Sequence, residues 1–465
     1  MNYHALFALF MGSFEVFICA GVNTGWPAII KLLQQEEYFS SECEGAEPCL
    51  LQSQKFNLVY TILTSVGGAT ALLGWWVLKN NGVLKTRTFM ITLMCAGFFI
   101  VSMSSKNNPL MLYFGFPLIE AGGFGLLMAN IELCNFFDKH KHVLRSFVFG
   151  SYVSSGMVYM IVNYVYTTYK VEFKHIFLFF TVVSFSFNLN TFTQRSLHKS
   201  SKDSSEGCCF NFQKISKTKN SNSNANLVVD LNAHKVHKAS KPQKLKECLN
   251  FYFLNHIFYN GFLSFAFNFF VGVFTQLASK RVKNVDSAVY FFCILLVTIS
   301  VFAPLNGMLI KQIQSLYESK KCIRSVSTLK ATALNSLITS ILASALFTCL
   351  LFENVESTYA AVVLLVLGWS CLSTNAAYFI GNQYPEENFD LLFNITTGVS
   401  AMFLAFQYPI VLVTSWYFNQ SFYYIFFGLV VISLTSLAFP LSLFVKARML
   451  SVNDENARLL GMFTW

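Results

Sequence analysis

Three carboxyl groups lie inside strongly apolar stretches of this 465-residue sequence: Glu15, Glu120 and Glu132. An ionisable group near the centre of a bilayer costs at least about 2.5 kcal/mol, so each is a candidate for function. At 1.5 Å per helical residue, Glu15 and Glu120 lie roughly 15 Å along their stretches, the depth at which transporters bind solutes. Glu132 lies closer to the end of its stretch.

Such a carboxyl can meet the N–H groups of a bound solute, carry a proton, or join two helices as a neutral acid. We find no Lys or Arg in the middle of any apolar stretch and therefore expect no basic partner for Glu15 or Glu120. A role in a watery cavity and a purely structural role both stay open for each of them.

The elements that must position these groups are membrane spans. Hydrophobic residues make up 54% of the chain and charged residues only 12%, about half of the 25% that is usual in soluble domains. Apolar stretches of roughly 20 residues, enough for one helical crossing, recur along the chain. Twelve such spans are predicted, near 5–30, 56–78, 88–105, 110–135, 146–169, 176–194, 251–275, 289–310, 331–352, 358–380, 391–416 and 422–445.

The basic residues are sorted between the two sides of these spans. With the N-terminus in the cytosol, 25 of the 33 Lys and Arg residues lie in cytosolic segments, which the positive-inside rule favours. The net charge of +10 therefore reflects membrane orientation, and we expect no nucleic-acid partner.

These features predict an all-α polytopic membrane protein of twelve spans in two six-helix bundles. The bundles cover 1–194 and 251–445, and 446–465 form a cytosolic tail. The segment 195–250 is rich in Lys, Ser and Asn, which is typical of a disordered cytosolic linker.

Among the twelve cysteines, Cys43 and Cys49 alone fall in a predicted external loop, where the oxidising compartment favours a disulfide between them. In the tail, Glu455 and the pair Leu459-Leu460 match the acidic dileucine pattern that clathrin adaptors recognise. The match favours residence in the plasma membrane with endosomal cycling.

Sequences typical of phosphate-binding loops and zinc proteases are missing, and no His or Cys cluster has metal-ligand spacing. We therefore expect no enzyme activity, no metal and no cofactor. The expected partners are a small-molecule substrate and the lipid bilayer, and we expect a monomer.

Short motifs along nearly the whole chain match one known family in order and spacing. In the first half they are Ala20-Gly21, Gly25-Trp26-Pro27, Glu37-Tyr38-Phe39, Cys43, Pro117, Gly122-Gly123, Asn130, Asn135-Phe136-Phe137, Gly150-Ser151-Tyr152 and Ser154-Ser155. In the second half they are Ala303-Pro304, Asn306-Gly307, Asn375-Ala376-Ala377, Pro385-Glu386, Phe389, Gln407 and Pro409. The chain resembles solute carrier family 43 of the major facilitator superfamily. The resemblance implies a central cavity between two bundles and sodium-independent, facilitated movement of nucleobases or neutral amino acids by alternating access.

The sequence departs from the superfamily pattern at three positions. Leu78 and Lys311 replace the Asp of the turn after spans two and eight, and Asp390 replaces a glycine. The resemblance is thus to a diverged member, and a non-transporting scaffold or sensor on the transporter fold stays open as an alternative function.

The polar side chains that we expect at the cavity are Glu15, Asn23, Glu120, Asn130, Tyr152, Ser155, Asn268, Asn375 and Gln407. A purine base offers flat faces for aromatic rings and N–H donors for a carboxyl group or an Asn. A zwitterionic amino acid needs a partner for its carboxylate, and no span offers a basic residue. The sequence therefore favours nucleobases over neutral amino acids, with the amino acids kept as the alternative.

Overall fold

The chain is almost entirely helical in the computed structural model, which describes residues 3–43, 49–137, 141–191, 248–319, 323–418 and 421–462. Eight helical segments of this described part are long and apolar enough to cross a membrane. They are Leu50–Ser102, Pro109–Phe136, Phe251–Arg281, Val285–Ser319, Arg324–Leu350, Val355–Gln383, Glu386–Tyr417 and Tyr423–Val452. The predicted all-α membrane class is confirmed.

In the described residues before 192, the α-helices are α1 Tyr3–Cys19, α2 Trp26–Gln35, α3 Leu50–Ser102, α4 Leu112–Ile131, α5 Lys141–Ser154, α6 Gly156–Tyr169 and α7, which covers 173–191. Short 3-10 turns at Ser40–Glu42, Pro109–Met111 and Glu132–Phe136 join some of them.

In the described residues after 247, the α-helices are α8 Phe251–Arg281, α9 Val285–Val297, α10 Ile299–Ser319, α11 Arg324–Leu350, α12 Val355–Gln383, α13 Phe389–Leu404, α14 Gln407–Tyr417, α15 Tyr423–Thr435 and α16 Ala438–Met462. Asn side chains begin three of these helices: Asn250, Asn284 and Asn354 each accept a hydrogen bond from a backbone N–H three residues later. Such caps satisfy N–H groups that the first turn leaves without a partner.

Helix α3 folds back on itself at Gly82. Its 53 residues would extend roughly 80 Å if straight, which is more than twice the hydrocarbon thickness of a bilayer. Gly82 has φ 78° and ψ 168°, a backbone conformation that residues with a Cβ rarely adopt. The two limbs lie side by side. A Cβ on Gly74 of the first limb would lie 3.4 Å from the Met90 Cε of the second limb.

The outer surface of the described helices is rich in large apolar side chains. Phe114, Phe179, Phe251 and Trp416 are each more than 60% exposed. An apolar surface of this extent would destabilise a protein in water, whereas lipid chains cover it without cost.

The predicted disulfide is confirmed. Cys43 and Cys49 are bonded, with a Cα–Cα distance of 5.6 Å. The Gln52 backbone N–H lies 3.5 Å from the Cys49 Sγ, so Cys49 also caps the start of α3. We call this end of the molecule the disulfide end, and the end that carries the Gly82 bend the Gly82 end.

The predicted linker 195–250 lies outside the described residues except for its last three positions. Helix α16 continues to Met462 without a break at 445. Glu455, Leu459 and Leu460 of the dileucine pattern belong to that helix, and their side chains lie outside the described residues.

Candidate functional site

A cavity of about 110 Å³ lies between helices of the first and second halves of the chain. Four of the predicted residues line it: Asn23, Glu120, Tyr152 and Asn268. The other lining residues are Thr64, Gly68, Phe124, Phe149, Asn260, Ser264, Trp369, Leu372, Ser373, Ala376, Phe393, Thr397, Ser400, Ala401 and Leu404.

Glu120 is the acidic residue of this lining and is 2% exposed. It lies on α4, three residues after Pro117, and packs against Gly67 of α3. The Tyr152 hydroxyl donates to its Oε1, and the Asn23 backbone N–H lies 3.3 Å from its Oε2. Helix α5 and the chain segment around Asn23 thus hold this carboxyl group of α4 at the cavity wall.

Asn23 reaches the cavity because the helix breaks between α1 and α2. The break, residues 20–25, packs closely on the end of α5 and on Ser155, which follows it. A Cβ at Gly21 would collide with the Tyr152 carbonyl and the Ser155 hydroxyl. The Oδ1 of Asn23 has no hydrogen-bond partner among the described residues. A residue of the cavity lining therefore carries a buried acceptor atom without a partner in the described part of the chain.

Helix α8 supplies a polar face that the sequence prediction largely missed. Asn260, Ser264 and Asn268 line the cavity at intervals of four residues, a spacing that places them on one side of a helix. The Asn260 Nδ2 donates to the Ser400 Oγ at 3.1 Å, and the Tyr60 hydroxyl donates to the Asn268 Oδ1 at 3.3 Å. The spacing of four in an otherwise apolar helix is the signal that could have found Asn260 and Ser264.

Aromatic rings form much of the remaining wall. The ring of Tyr152 lies 5.9 Å from those of both Phe124 and Phe149, with the Phe124 ring perpendicular to it. Trp369 and Phe393 line the opposite side from the second half of the chain. No Lys, Arg or His occurs among the described lining residues. The described lining thus offers one carboxyl group, amide and hydroxyl side chains, and aromatic faces.

Contacts join the two halves at the disulfide end. Lys31 forms an ion pair with Asp286 at 2.7 Å, and the Thr275 hydroxyl lies 3.4 Å from the Pro27 carbonyl oxygen. The ring of Trp26, fully buried, lies 5.5 Å from that of Tyr60 below these contacts.

A second set of contacts joins the halves at the Gly82 end. Lys141 forms an ion pair with Glu386, and the Arg145 guanidinium lies 3.7 Å from the centre of the Phe389 ring. The Nη2 of Arg145 also donates to the Asn135 Oδ1 at 2.7 Å. The two halves therefore touch at both ends of the molecule, although Leu78 and Lys311 are not acidic.

The expectation that Glu15 has no basic partner is wrong. The Arg87 Nη2 lies 2.7 Å from the Glu15 Oε2, and both side chains are buried. Arg87 lies five residues beyond the Gly82 bend on α3, so it enters the bundle although its sequence position indicated a loop. The Asn190 Nδ2 donates to the other carboxylate oxygen at 2.8 Å.

Asn130 belongs to the same ion-pair network. Its Oδ1 accepts from Arg87, and its Nδ2 donates to the Gly12 carbonyl at 3.0 Å. The structure thus brings Glu15 and Asn130 together, although neither is among the residues that line the cavity.

Three further candidates also lie outside the lining. Ser155 packs on Gly21, and its hydroxyl has no partner among the described residues. Asn375 accepts from the Ser336 hydroxyl at 3.1 Å. Gln407 is fully buried beside Gly272, and neither of its amide atoms has a partner in the described part of the chain.

No group of three or more His, Cys, Asp or Glu side chains in the described residues could hold a metal ion. The lining described above combines hydrogen-bonding, aromatic and small or aliphatic side chains.

The chain is 22% identical over 433 residues to "Equilibrative nucleobase transporter 1" from Bos taurus. This match covers 86% of this chain and 88% of that protein. This chain is also 23% identical, over a shorter match of 168 residues, to "Large neutral amino acids transporter small subunit 3" from Homo sapiens. That match covers 33% of this chain and 30% of the other. The resemblance to solute carrier family 43 is confirmed. No family model matches the chain.

The fold is similar to that of a peptide transporter whose crystal structure was solved as a point mutant in complex with alafosfalin. The TM-score is 0.58, and the match covers 96% of this chain and 94% of the other at 13% sequence identity. At this identity the likeness shows the fold alone. The chain is a multi-pass membrane protein with the fold of a transporter.

Proposed function

We propose that this chain moves purine nucleobases across a membrane by alternating access, as a monomer and without a cofactor. The observation that carries the proposal is a cavity with one buried carboxyl group, several amide side chains, aromatic walls and no basic residue among its described lining. A purine presents N–H donors and ring acceptors on its edge and two apolar faces. Glu120 would accept from the N–H groups, and Asn260 and Asn268 would meet the remaining edge atoms.

Twelve membrane crossings in two six-helix bundles form part of this proposal. The two limbs of α3 supply two crossings. Helix pairs divided by short breaks supply one crossing each: α1 with α2, α5 with α6, α9 with α10, α13 with α14 and α15 with α16. The remaining helices α4, α7, α8, α11 and α12 supply the others. Contacts at both ends of the cavity support alternating access, since opening either end requires only one set to separate.

Neutral amino acids are the second candidate substrate, favoured by the shorter match to the human amino-acid transporter. Against them stands the lack of a basic side chain in the described cavity lining, because a bound carboxylate would then depend on backbone or amide donors. A scaffold or sensor without transport is the alternative of another class. The polar lining argues against a scaffold or sensor, because burying a carboxyl group costs free energy and a protein that binds nothing in the cavity gains little from it.

Uptake of labelled adenine, guanine, leucine and phenylalanine into cells that express the chain tests this proposal. We expect saturable uptake of adenine or guanine that is independent of sodium. Uptake of leucine or phenylalanine alone would replace the nucleobase with the amino-acid assignment. No uptake of any of the four by protein at the cell surface would favour the scaffold.

Orientation gives a first prediction. We expect the Gly82 end, the segment 195–250 and both termini to face the cytosol, because 25 of 33 basic residues then lie inside. An epitope tag inserted near Asn220 should stain only after the cells are permeabilised, whereas a tag in the loop between Cys43 and Cys49 should stain intact cells. The reverse pattern would overturn the orientation.

The dileucine pattern gives a second prediction, which concerns residence in the plasma membrane and endosomal cycling. If a clathrin adaptor recognises Glu455 with Leu459 and Leu460, replacing both leucines by Ala should raise the fraction of protein at the cell surface. Surface biotinylation measures that fraction. Replacing Val452 and Met462, apolar residues of the same helix, by Ala is the control. An equal surface fraction for the leucine variant and the unchanged chain would remove the sorting signal.

A further inference from the structure

A large groove lies on the outside of the first half at the Gly82 end, away from the central cavity. It has a volume of about 1020 Å³ and runs between the second limb of α3 and helix α7. Its apolar wall includes Phe89, Val182, Phe185 and Leu189, and the last three are 66–70% exposed. In a membrane protein, side chains this exposed on a span face lipid chains.

The described groove lining includes one basic side chain, that of Lys85. Lys85 lines it and is exposed, and no ion pair or hydrogen bond joins its Nζ to another group in the described part of the chain. No Asp or Glu is among the described lining residues. Lys85 lies three residues after the Gly82 bend, roughly 5 Å along the helix from it. That depth corresponds to the level of lipid headgroups, since the bend is where α3 turns back into the bilayer.

We infer that this groove binds an anionic phospholipid, with the headgroup phosphate on Lys85 and an acyl chain along Phe89, Val182, Phe185 and Leu189. Charge selects this occupant, because a single unpaired cation beside an apolar channel complements a molecule with one anionic end and one hydrocarbon end. In the proposed orientation the Gly82 end faces the cytosolic leaflet, which is the leaflet that holds the anionic lipids. The inference depends on neither the identity of the transported solute nor the uptake assay.

The groove adjoins the buried ion pair of Glu15 and Arg87. Thr191, which also lines the groove, accepts a hydrogen bond from the Arg87 Nε at 3.4 Å, and its neighbour Asn190 donates to Glu15. A lipid in the groove would hold α7 against α3 where α7 contacts that pair. Because the lipid binds the folded chain, its occupancy should raise thermal stability.

Native mass spectrometry of the purified full chain, with 1-palmitoyl-2-oleoyl lipids added in detergent, tests the inference. Phosphatidylserine adducts should form at a concentration at least about fivefold lower than phosphatidylcholine adducts, the effect expected of one lysine at a lipid surface. Lys85→Glu should abolish this preference. Val182→Trp, which fills the groove without a change of charge, should reduce adducts of both lipids. Glycerophosphoserine, which has no acyl chains, should not compete.

Lys79→Glu is the matched control. Lys79 lies on the same helix near the same bend and is exposed, but it lies over the Trp75 ring and outside the groove. This variant should keep the preference for phosphatidylserine. Equal binding of the two lipids to the unchanged chain would overturn the inference, and so would equal losses in the Lys79→Glu and Lys85→Glu variants. Displacement of phosphatidylserine by cholesterol with no dependence on Lys85 would also overturn it, because the groove would then be a sterol site.

Discussion

Glu120→Gln is expected to weaken the apparent affinity for a transported nucleobase about tenfold or more. Glu120 is the carboxyl group of the cavity, held by Tyr152 and by the backbone of Asn23. A hydrogen bond to a charged group contributes about 1.5–3 kcal/mol, and each 1.4 kcal/mol corresponds to about a tenfold change in affinity. Gln keeps the shape of the side chain but replaces one acceptor by a donor. The concentration dependence of adenine and guanine uptake measures the change.

Two variants show whether the loss belongs to the carboxyl group. Glu37→Gln makes the same chemical change in an exposed ion pair with Lys106 and should leave the affinity within about twofold, since exposed pairs contribute little. Tyr152→Phe removes the donor to Glu120 but keeps the aromatic wall, and should give a smaller loss than Glu120→Gln. If Glu120→Gln reached the cell surface and took up both bases with unchanged affinity, Glu120 would not contact the solute.

The same variant separates solute binding from proton coupling. If Glu120 carries a proton that moves with the solute, Glu120→Gln should flatten the dependence of uptake on external pH. If Glu120 only accepts hydrogen bonds, the variant should lower affinity by a similar factor at every pH. Uptake measured at saturating and at low nucleobase concentration, between about pH 5.5 and pH 8, distinguishes the two results, because only the first changes the shape of the profile.

Depth along the membrane could be read from the sequence, because polar residues inside long apolar stretches are expensive and rare. Applied to Glu15 and Glu120, this reasoning found one residue of the cavity lining, Glu120. The wider list of expected cavity residues also included Asn23, Tyr152 and Asn268, which the structure brings to the same cavity. The sequence could not reveal the direction in which each side chain points. Asn375 and Gln407 are also polar residues inside predicted spans, and neither is among the lining residues.

Arg87 shows a second feature that the sequence could not predict. Counting basic residues by their position between spans placed it in a loop, and this gave Glu15 no partner. The structure instead begins the second limb of α3 directly at Gly82, so Arg87 already lies more than one turn inside the bundle. A single glycine with positive φ shortens the loop to almost nothing, and hydropathy alone does not reveal such a turn. The identity of the family was easier to predict, since it depends on many motifs in order.

The Gly82 end also shows that a missing motif need not mean a missing contact. Leu78 and Lys311 replace the expected acidic residues, and Glu386 with Lys141 and Arg145 with Phe389 join the halves at that end instead. Closing contacts depend on charge and shape at the interface, so another pair of helices can provide them. The departure from the superfamily pattern is therefore compatible with alternating access.

Arg87→Met is expected to destabilise the folded chain by about 3–5 kcal/mol, the cost of leaving one member of a buried ion pair alone. Arg87 is fully buried and contacts Glu15, Asn130 and Thr191. Its removal leaves the Glu15 carboxylate without a counter-charge, although the Asn190 amide still donates to it. The melting temperature of the purified protein in detergent should fall by several degrees. Glu15→Met should have a comparable effect, because it leaves the Arg87 guanidinium without its own counter-charge.

The double variant Glu15→Met with Arg87→Met distinguishes an ion pair from two independent losses. Replacing both partners by apolar side chains of similar size is often neutral, so the double variant should melt above either single variant. In the double-mutant cycle, its loss of unfolding free energy should be smaller than the sum of the two single losses. Lys106→Met, which breaks the exposed pair with Glu37, is the control and should shift the melting temperature little. Additive losses in the double variant would show that Glu15 and Arg87 act separately. If Arg87→Met melted like the unchanged chain, the network would contribute nothing to stability, and Glu15 would again become a candidate for contact with the solute.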